Sequence, residues 1–152
     1  MRETQILFID FDGFKAVNDT RGHAAGDAVL REMARRLKVR TRDTDTVARW
    51  GGDEFVVVVE RLDDTRDVAA LAAKLLAVVA EPIAIDGDVL ELSTSIGISL
   101  FPGGGGTADE LLSAADAAMY AAKSSGRAAF RYYSSRMHED AQARAAVGDA
   151  LR

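Results

Sequence analysis

RWGGDEFVVVVE, residues 49–60, decides how the chain folds. Phe55 and Val56–Val59 form an uninterrupted apolar run, as expected of a strand buried on both faces. Asp53 and Glu54 stand directly in front of that run, and Gly51 and Gly52 stand in front of them. The glycines predict a tight turn, with Thr46–Trp50 as the strand leading into it. The stretch therefore reads as a hairpin with two carboxylates at its tip.

The elements on either side set the topology. Gln5–Asp10 is a short apolar run ending in an acid and reads as a buried strand. Ala25–Arg42 carries Leu30, Met33 or Ala34, and Leu37 at helical spacing, with arginines and lysine opposite. Asp64–Ala80 repeats the pattern with Val68, Leu71, Leu75 and Val78, Asp64 as N-cap and Pro82 as the stop. Ile83–Ile85 and Val89–Leu100 read as strands flanking an Asp86-Gly87 turn. After a Pro102–Gly106 loop, Thr107–Glu110 is a capping box opening a helix to about Lys123. Ala129–Tyr133 is a last short strand, and Met137–Arg152 is a charged, Ala-rich helix candidate.

Strand, helix, strand, strand, helix, strand is the βαββαβ order of an α+β, ferredoxin-like antiparallel sheet, here with an added C-terminal helix and strand. In that topology the third core strand runs antiparallel beside the first, so Asp53 is expected next to Asp10. Asp10, Asp12, Asp53 and Glu54 then gather at one sheet edge. Like charges so close repel unless a cation compensates. A hard cation such as Mg²⁺ takes carboxylate oxygens and shares its shell with substrate phosphates, the layout for in-line nucleotidyl transfer. The alternative is a set of solvated turn acids.

Gly13-Phe14-Lys15 opens a short helix at AVND, a glycine-containing helix start suited to a phosphate chain, with Lys15 as a point charge. Asn18 and Asp27 could pair with the edge of a guanine, or could cap helices.

The chain has 152 residues, 48% hydrophobic and 28% charged, the size and composition of one globular domain. A net charge of −5 excludes a dedicated nucleic-acid binder that neutralises many phosphates. It leaves room for a small anion held by a few local cations. Without cysteine there is no disulfide framework and no thiolate metal site. No apolar run approaches the roughly 20 residues that span a bilayer, and the N-terminus lacks a signal-peptide layout. A cytoplasmic location without membrane contact is the expectation.

DFDGFKAVNDTRGHAAGDAVL (10–30), RWGGDEF (49–55), STSIGIS (93–99) and ADAAMYAAKSSGR (115–127), in that order, resemble the GGDEF domains, the diguanylate cyclase family. The resemblance implies a nucleotidyl cyclase or polymerase-palm fold that condenses two GTP into cyclic di-GMP, with Mg²⁺ or Mn²⁺ as cofactor. It implies a homodimer in which each domain holds one GTP and each 3′-hydroxyl attacks the other's α-phosphate. Asp10 and Asp53 match the metal-binding acids, with the Phe11 carbonyl as a further ligand. Glu54 either binds metal or helps to deprotonate the 3′-hydroxyl. Gly13, Phe14 and Lys15 match the phosphate turn, Asn18 and Asp27 the guanine-pairing residues, and Lys123 and Arg127 the cations for the terminal phosphates. Gly51 and Gly52 leave room for ribose and α-phosphate.

Arg42-Thr-Arg-Asp45, with five residues between it and Gly51, matches the family's inhibitory RxxD product site for cyclic di-GMP. Arg42 suits it because a guanidinium fork binds phosphate bidentately. Lys74 stands in the helix from which a further arginine often contributes. The family's usual N-terminal helix and DxLTGLxNR-like turn have no counterpart here, and position 13 is Gly where many members carry a larger residue. The expected organisation is a GGDEF domain over 1–134 and a helical connector over 135–152, the latter resembling the lead into an EAL phosphodiesterase domain. A regulatory module that binds GTP or cyclic di-GMP to control such a domain is the alternative function. A palm-type adenylyl cyclase would share the metal site but not the guanine preference that Asn18 and Asp27 predict.

Overall fold

The computed structural model describes residues 3–61 and 68–134. Its elements are β1 (Glu3–Asp12), α1 (Phe14–Arg21), α2 (His23–Arg40), β2 (Thr46–Gly51), β3 (Glu54–Arg61) and α3 (Val68–Ala80). They are followed by β4 (Ile83–Ile85), β5 (Asp88–Leu90), β6 (Ser93–Leu100), α4 (Ala108–Ser124) and β7 (Phe130–Tyr132). Five strands form one sheet in the order β2-β3-β1-β6-β7. β1 lies antiparallel between β3 and β6, as the βαββαβ order requires, with β6 as the fourth core strand.

Strand alternation divides the core. Leu7, Ile9 and Phe11 of β1, Phe55, Val57 and Val59 of β3, and Ile96 and Ile98 of β6 face the layer of α1, α2 and α3. Met33, Leu37, Leu75 and Val79, all fully buried, answer them from the helices. Ile6, Phe8 and Val56 point the other way, against Leu111, Ala115 and Met119 of α4. The four-valine run is thus explained: successive valines serve opposite faces, and both faces are covered. The added helix takes the face that the ferredoxin-like helices leave free. Beyond it, Trp50 on β2 stays 56% exposed over an apolar groove bounded by Val56, Val58, Phe101 and Leu112.

Gly97 sets how closely α4 can approach. A Cβ there would overlap the Ala115 carbonyl oxygen and the Met119 nitrogen, both backbone atoms. Thr107 caps α4, its hydroxyl accepting from the Glu110 amide at 3.1 Å, as the capping-box spacing predicts. On the opposite layer, buried Arg36 of α2 donates to the carbonyls of Val78, Glu81 and Pro82 at 2.7–3.1 Å, which satisfies the end of α3 and ties the two helices together.

Two expectations need correction. Val89–Leu100 is not one strand: β5 pairs only with β4 in a separate two-stranded sheet, and the chain re-enters the main sheet at Ser93. A period-two pattern does not say which partner each segment pairs with. The core pairs are antiparallel as expected, and the added strand β7 runs parallel to β6. The helix predicted from Ala25 begins at His23, and α1 ahead of it is a separate helix, joined through Gly22 at φ 88°. Asp64 as N-cap and the helix candidate at 137–152 lie outside the described residues.

Candidate active site

The tip of the β2–β3 hairpin meets the end of β1. In the β1–β3 register Asp10 lies opposite Glu54, and Asp53 sits one residue further out, in the turn. The expected neighbours are therefore in place, with the Asp53 carboxylate within hydrogen-bonding reach of Asp10. Asp10 is buried, and its Oδ1 has no hydrogen-bond partner. Its Oδ2 lies 2.6 Å from Lys123 Nζ, which descends from the last turn of α4. The Asp10 carboxyl is pushed up to about 6, by burial first, with Lys123 opposing the rise and Asp53 adding to it.

Glu54 is raised as well, by burial first and then by the nearby charges of Asp116 and Asp53. Asp116 of α4 was not foreseen. Solvent reaches it, yet enough protein surrounds it that burial raises its carboxyl, against the pull of Lys123. One signal was available: Asp116 and Lys123 are seven residues apart on one helix and so share a face.

Asp12 departs from its expected place in the cluster. Its carboxylate accepts from Ser93 Oγ at 2.6 Å, Ser95 Oγ at 2.8 Å and the Ala128 amide at 3.3 Å. It is a buried clasp, neither a solvated turn acid nor a carboxylate free for metal. The clasp has a consequence for the site, because Ala128 follows Arg127, and both stand at positive φ, 50° and 66°. Asp12 thereby fastens the turn after α4 to the end of β1, keeping Arg127 and Lys123 at this edge.

Gly13 is the N-cap of α1 at φ 77°, a left-handed conformation that favours glycine. Phe14 is buried beneath the turn, and Lys15 is exposed. The Asn18 side chain lies against Gly26, the residue before Asp27: a Cβ there would overlap its side-chain oxygen. Asp27 also lines a cavity of about 630 Å³ with Leu30, Arg31, Lys38, Arg49 and Phe55. No Cβ at Gly51 would meet protein, so the space above the hairpin is open.

The RxxD segment is a turn. Asp45 is buried, and its Oδ2 accepts from the Arg42 amide at 2.8 Å, while the Asp45 amide donates to the Arg42 carbonyl at 2.9 Å. Arg42 is exposed. No helix among the described residues is long and apolar enough to cross a membrane.

A βαββαβ sheet with a carboxylate pair where β1 meets a glycine-rich hairpin, and helix-borne cations beside it, is the frame of a nucleotidyltransferase domain. Residues 1–129 match the family described as diguanylate cyclase, GGDEF domain, and the chain belongs to that family. It is 47% identical over 141 residues to the bifunctional diguanylate cyclase/cyclic di-GMP phosphodiesterase MucR of Pseudomonas aeruginosa, an alignment covering 93% of this chain and 20% of MucR. Among solved structures, the GGDEF domain of TpbB from Pseudomonas aeruginosa superposes with a TM-score of 0.87 at 40% identity, covering 93% of this chain and 83% of that one. The GGDEF domain of DgcB from Caulobacter crescentus, solved in complex with c-di-GMP, gives 0.76 at 27% identity, covering 87% and 77%.

Proposed function

We propose that the domain condenses two GTP into cyclic di-GMP and two pyrophosphates, with each 3′-hydroxyl attacking the α-phosphate of the other nucleotide across a pair of domains. The observation that carries this reading is the Asp10–Asp53 pair with one buried carboxylate oxygen left without a partner. An orphaned oxygen beside a second carboxylate fits a divalent cation. Among the described residues no three His, Cys, Asp or Glu side chains cluster as a self-sufficient metal site. Asp10, Asp53 and the Phe11 carbonyl would hold the ion together with substrate oxygens, a donor set that suits Mg²⁺ or Mn²⁺. When bound, the ion supplies Lewis acidity at the α-phosphate.

The chain's own groups do the rest. Glu54, raised by burial and by neighbouring acids, is a stronger base than an ordinary carboxylate and is the group to receive the 3′-hydroxyl proton. Gly13, Phe14 and Lys15 offer amides and a cation to the phosphates. Lys123 and Arg127 reach the terminal pair, and Gly51 and Gly52 leave the ribose its space. Asn18, packed against Gly26, and the adjoining Asp27 select guanine. Arg42 and Asp45 form the product site; with Asp45 buried in its turn, Arg42 carries the contact. GTP is a cytoplasmic nucleotide, and the domain works there. The test is product formation from GTP with Mg²⁺ or Mn²⁺ at high protein concentration, beside Asp53→Ala. Absence of cyclic di-GMP from the unaltered chain under these conditions would reject the reading.

The pairing of cyclase and phosphodiesterase in the relative MucR favours a second reading, for a longer parent protein. In it residues 135–152 connect to an EAL domain, and this domain, 1–134, regulates it by binding GTP or cyclic di-GMP. GTP should then alter cyclic di-GMP hydrolysis by the parent even with Asp53→Ala; no effect removes the idea.

A further inference from the structure

Asp53 is set in place by a residue outside the acidic pair. The β2–β3 ladder is regular up to Arg49, opposite Phe55, and then shifts, so that Gly51 lies opposite Glu54 and Trp50 is left over as a bulge. A bulge next to a turn frees the hairpin tip from the ladder that would otherwise fix it. Arg49 spans the irregularity: its Nε and Nη2 both donate to the Gly52 carbonyl, at 3.0 and 2.7 Å. That carbonyl belongs to the peptide joining Gly52 to Asp53, and Gly52 stands at φ 26°, where its own ladder offers no restraint. The same Arg49 lines the cavity that contains Asp27.

We propose that Arg49 is a positioning residue. Its guanidinium fork fixes the peptide ahead of Asp53, so that the carboxylate is aimed at Asp10, and its place in the cavity wall couples filling of the guanine end to the metal end. The fork matters because two parallel N–H groups on one oxygen fix orientation, which a single ammonium donor does not. The role rests on the metal reading above and adds to it a group that touches neither metal nor reacting atoms.

The experiment measures Mn²⁺ affinity by electron paramagnetic resonance, with and without a non-hydrolysable GTP analogue, for the intact chain and for Arg49→Ala, Arg49→Lys and Asp53→Ala. Loss of an outer-shell orienting partner weakens metal binding by about 10- to 100-fold. Arg49→Ala should show that loss with its unfolding midpoint kept, and Arg49→Lys should fall in between. In turnover the loss should appear in kcat and in the Mn²⁺ requirement more than in the KM for GTP. Added guanidinium ion should restore Mn²⁺ affinity to Arg49→Ala and not to Asp53→Ala. Wild-type Mn²⁺ affinity in either Arg49 variant overturns the proposal, as does a loss that tracks a fallen unfolding midpoint in both. An unaltered chain that makes no cyclic di-GMP counts against the cyclase reading instead, since the Mn²⁺ measurement stands without turnover.

Discussion

Lys123 on Asp10 is the contact on which the site's behaviour turns at the scale of single residues. Three carboxyls around it, Asp10, Glu54 and Asp116, are raised, each by burial first. Between the ordinary aspartate value of 3.8 and about 6, the folded protein therefore holds more protons than the unfolded chain. By linkage, stability falls as pH rises through that window, and the full benefit is present only below it. Metal-free protein should unfold at higher urea near pH 5 than near pH 7, and saturating Mg²⁺ should remove the difference by favouring the ionised form. A flat urea midpoint in EDTA would contradict this. Lys123→Met removes the cation paired with Asp10: metal-free stability should drop by about 1–2 kcal/mol, discounted for partial exposure, and Mg²⁺ should recover it. Gly26→Ala tests specificity. Its Cβ meets the flexible end of Asn18 and not backbone, so the fold should survive while the amide is pushed aside. Preference for GTP over ATP should fall by about tenfold, the scale of one lost polar contact. Unchanged preference would remove Asn18 from base recognition.

Between elements, the approach of α4 to the sheet is the joint that carries Lys123 and Asp116 to the acids. Gly97 sits under it, with backbone on both sides of the missing Cβ. Gly97→Ala should destabilise the domain by about 3 kcal/mol or more, since neither the helix nor the central strand can yield without breaking hydrogen bonds. Urea denaturation measures it, and a near-neutral result would mean that α4 sits further from the sheet. This joint also marks what was legible in advance. The hairpin, β1 and their juxtaposition could be read, because an apolar run with acids at its tip has few ways to be buried. Asn18 and Asp27 could be read as candidates, but not that Asn18 packs on α2 where Gly26 lacks a side chain. The clasp on Asp12 could not be read from spacing, and for Asp116 the face shared with Lys123 could be read but not which sheet face α4 takes. Alanine-rich helices such as α4 do not announce that choice. The division of Val89–Leu100 was hidden for a similar reason: strand pattern reports faces and not partners.

At the scale of the molecule, one domain cannot complete the proposed reaction. Cyclic di-GMP has two 3′–5′ linkages, and each demands a metal-bound α-phosphate facing a foreign 3′-hydroxyl. The domain offers one carboxylate pair, one phosphate turn and one Asn18–Asp27 pair, all at one end of the sheet. The space above Gly51 is open, so a nucleotide held here presents its ribose and α-phosphate outward. In the proposed mechanism a second copy, turned to bring its own loaded site face to face, would supply the missing half, and a twofold arrangement would make the two attacks equivalent. Encounter of two domains then precedes chemistry, and mass action dictates the concentration dependence. Product formed per domain should rise in proportion to protein concentration while the domain is mostly monomeric, and level off once it is mostly paired. Adding excess Asp53→Ala domain to a fixed, dilute amount of the unaltered one should lower the rate, because mixed pairs contain one empty metal site. A per-domain rate constant across a wide dilution series, untouched by the variant, would mean that a single domain assembles both linkages, and the paired mechanism would be abandoned.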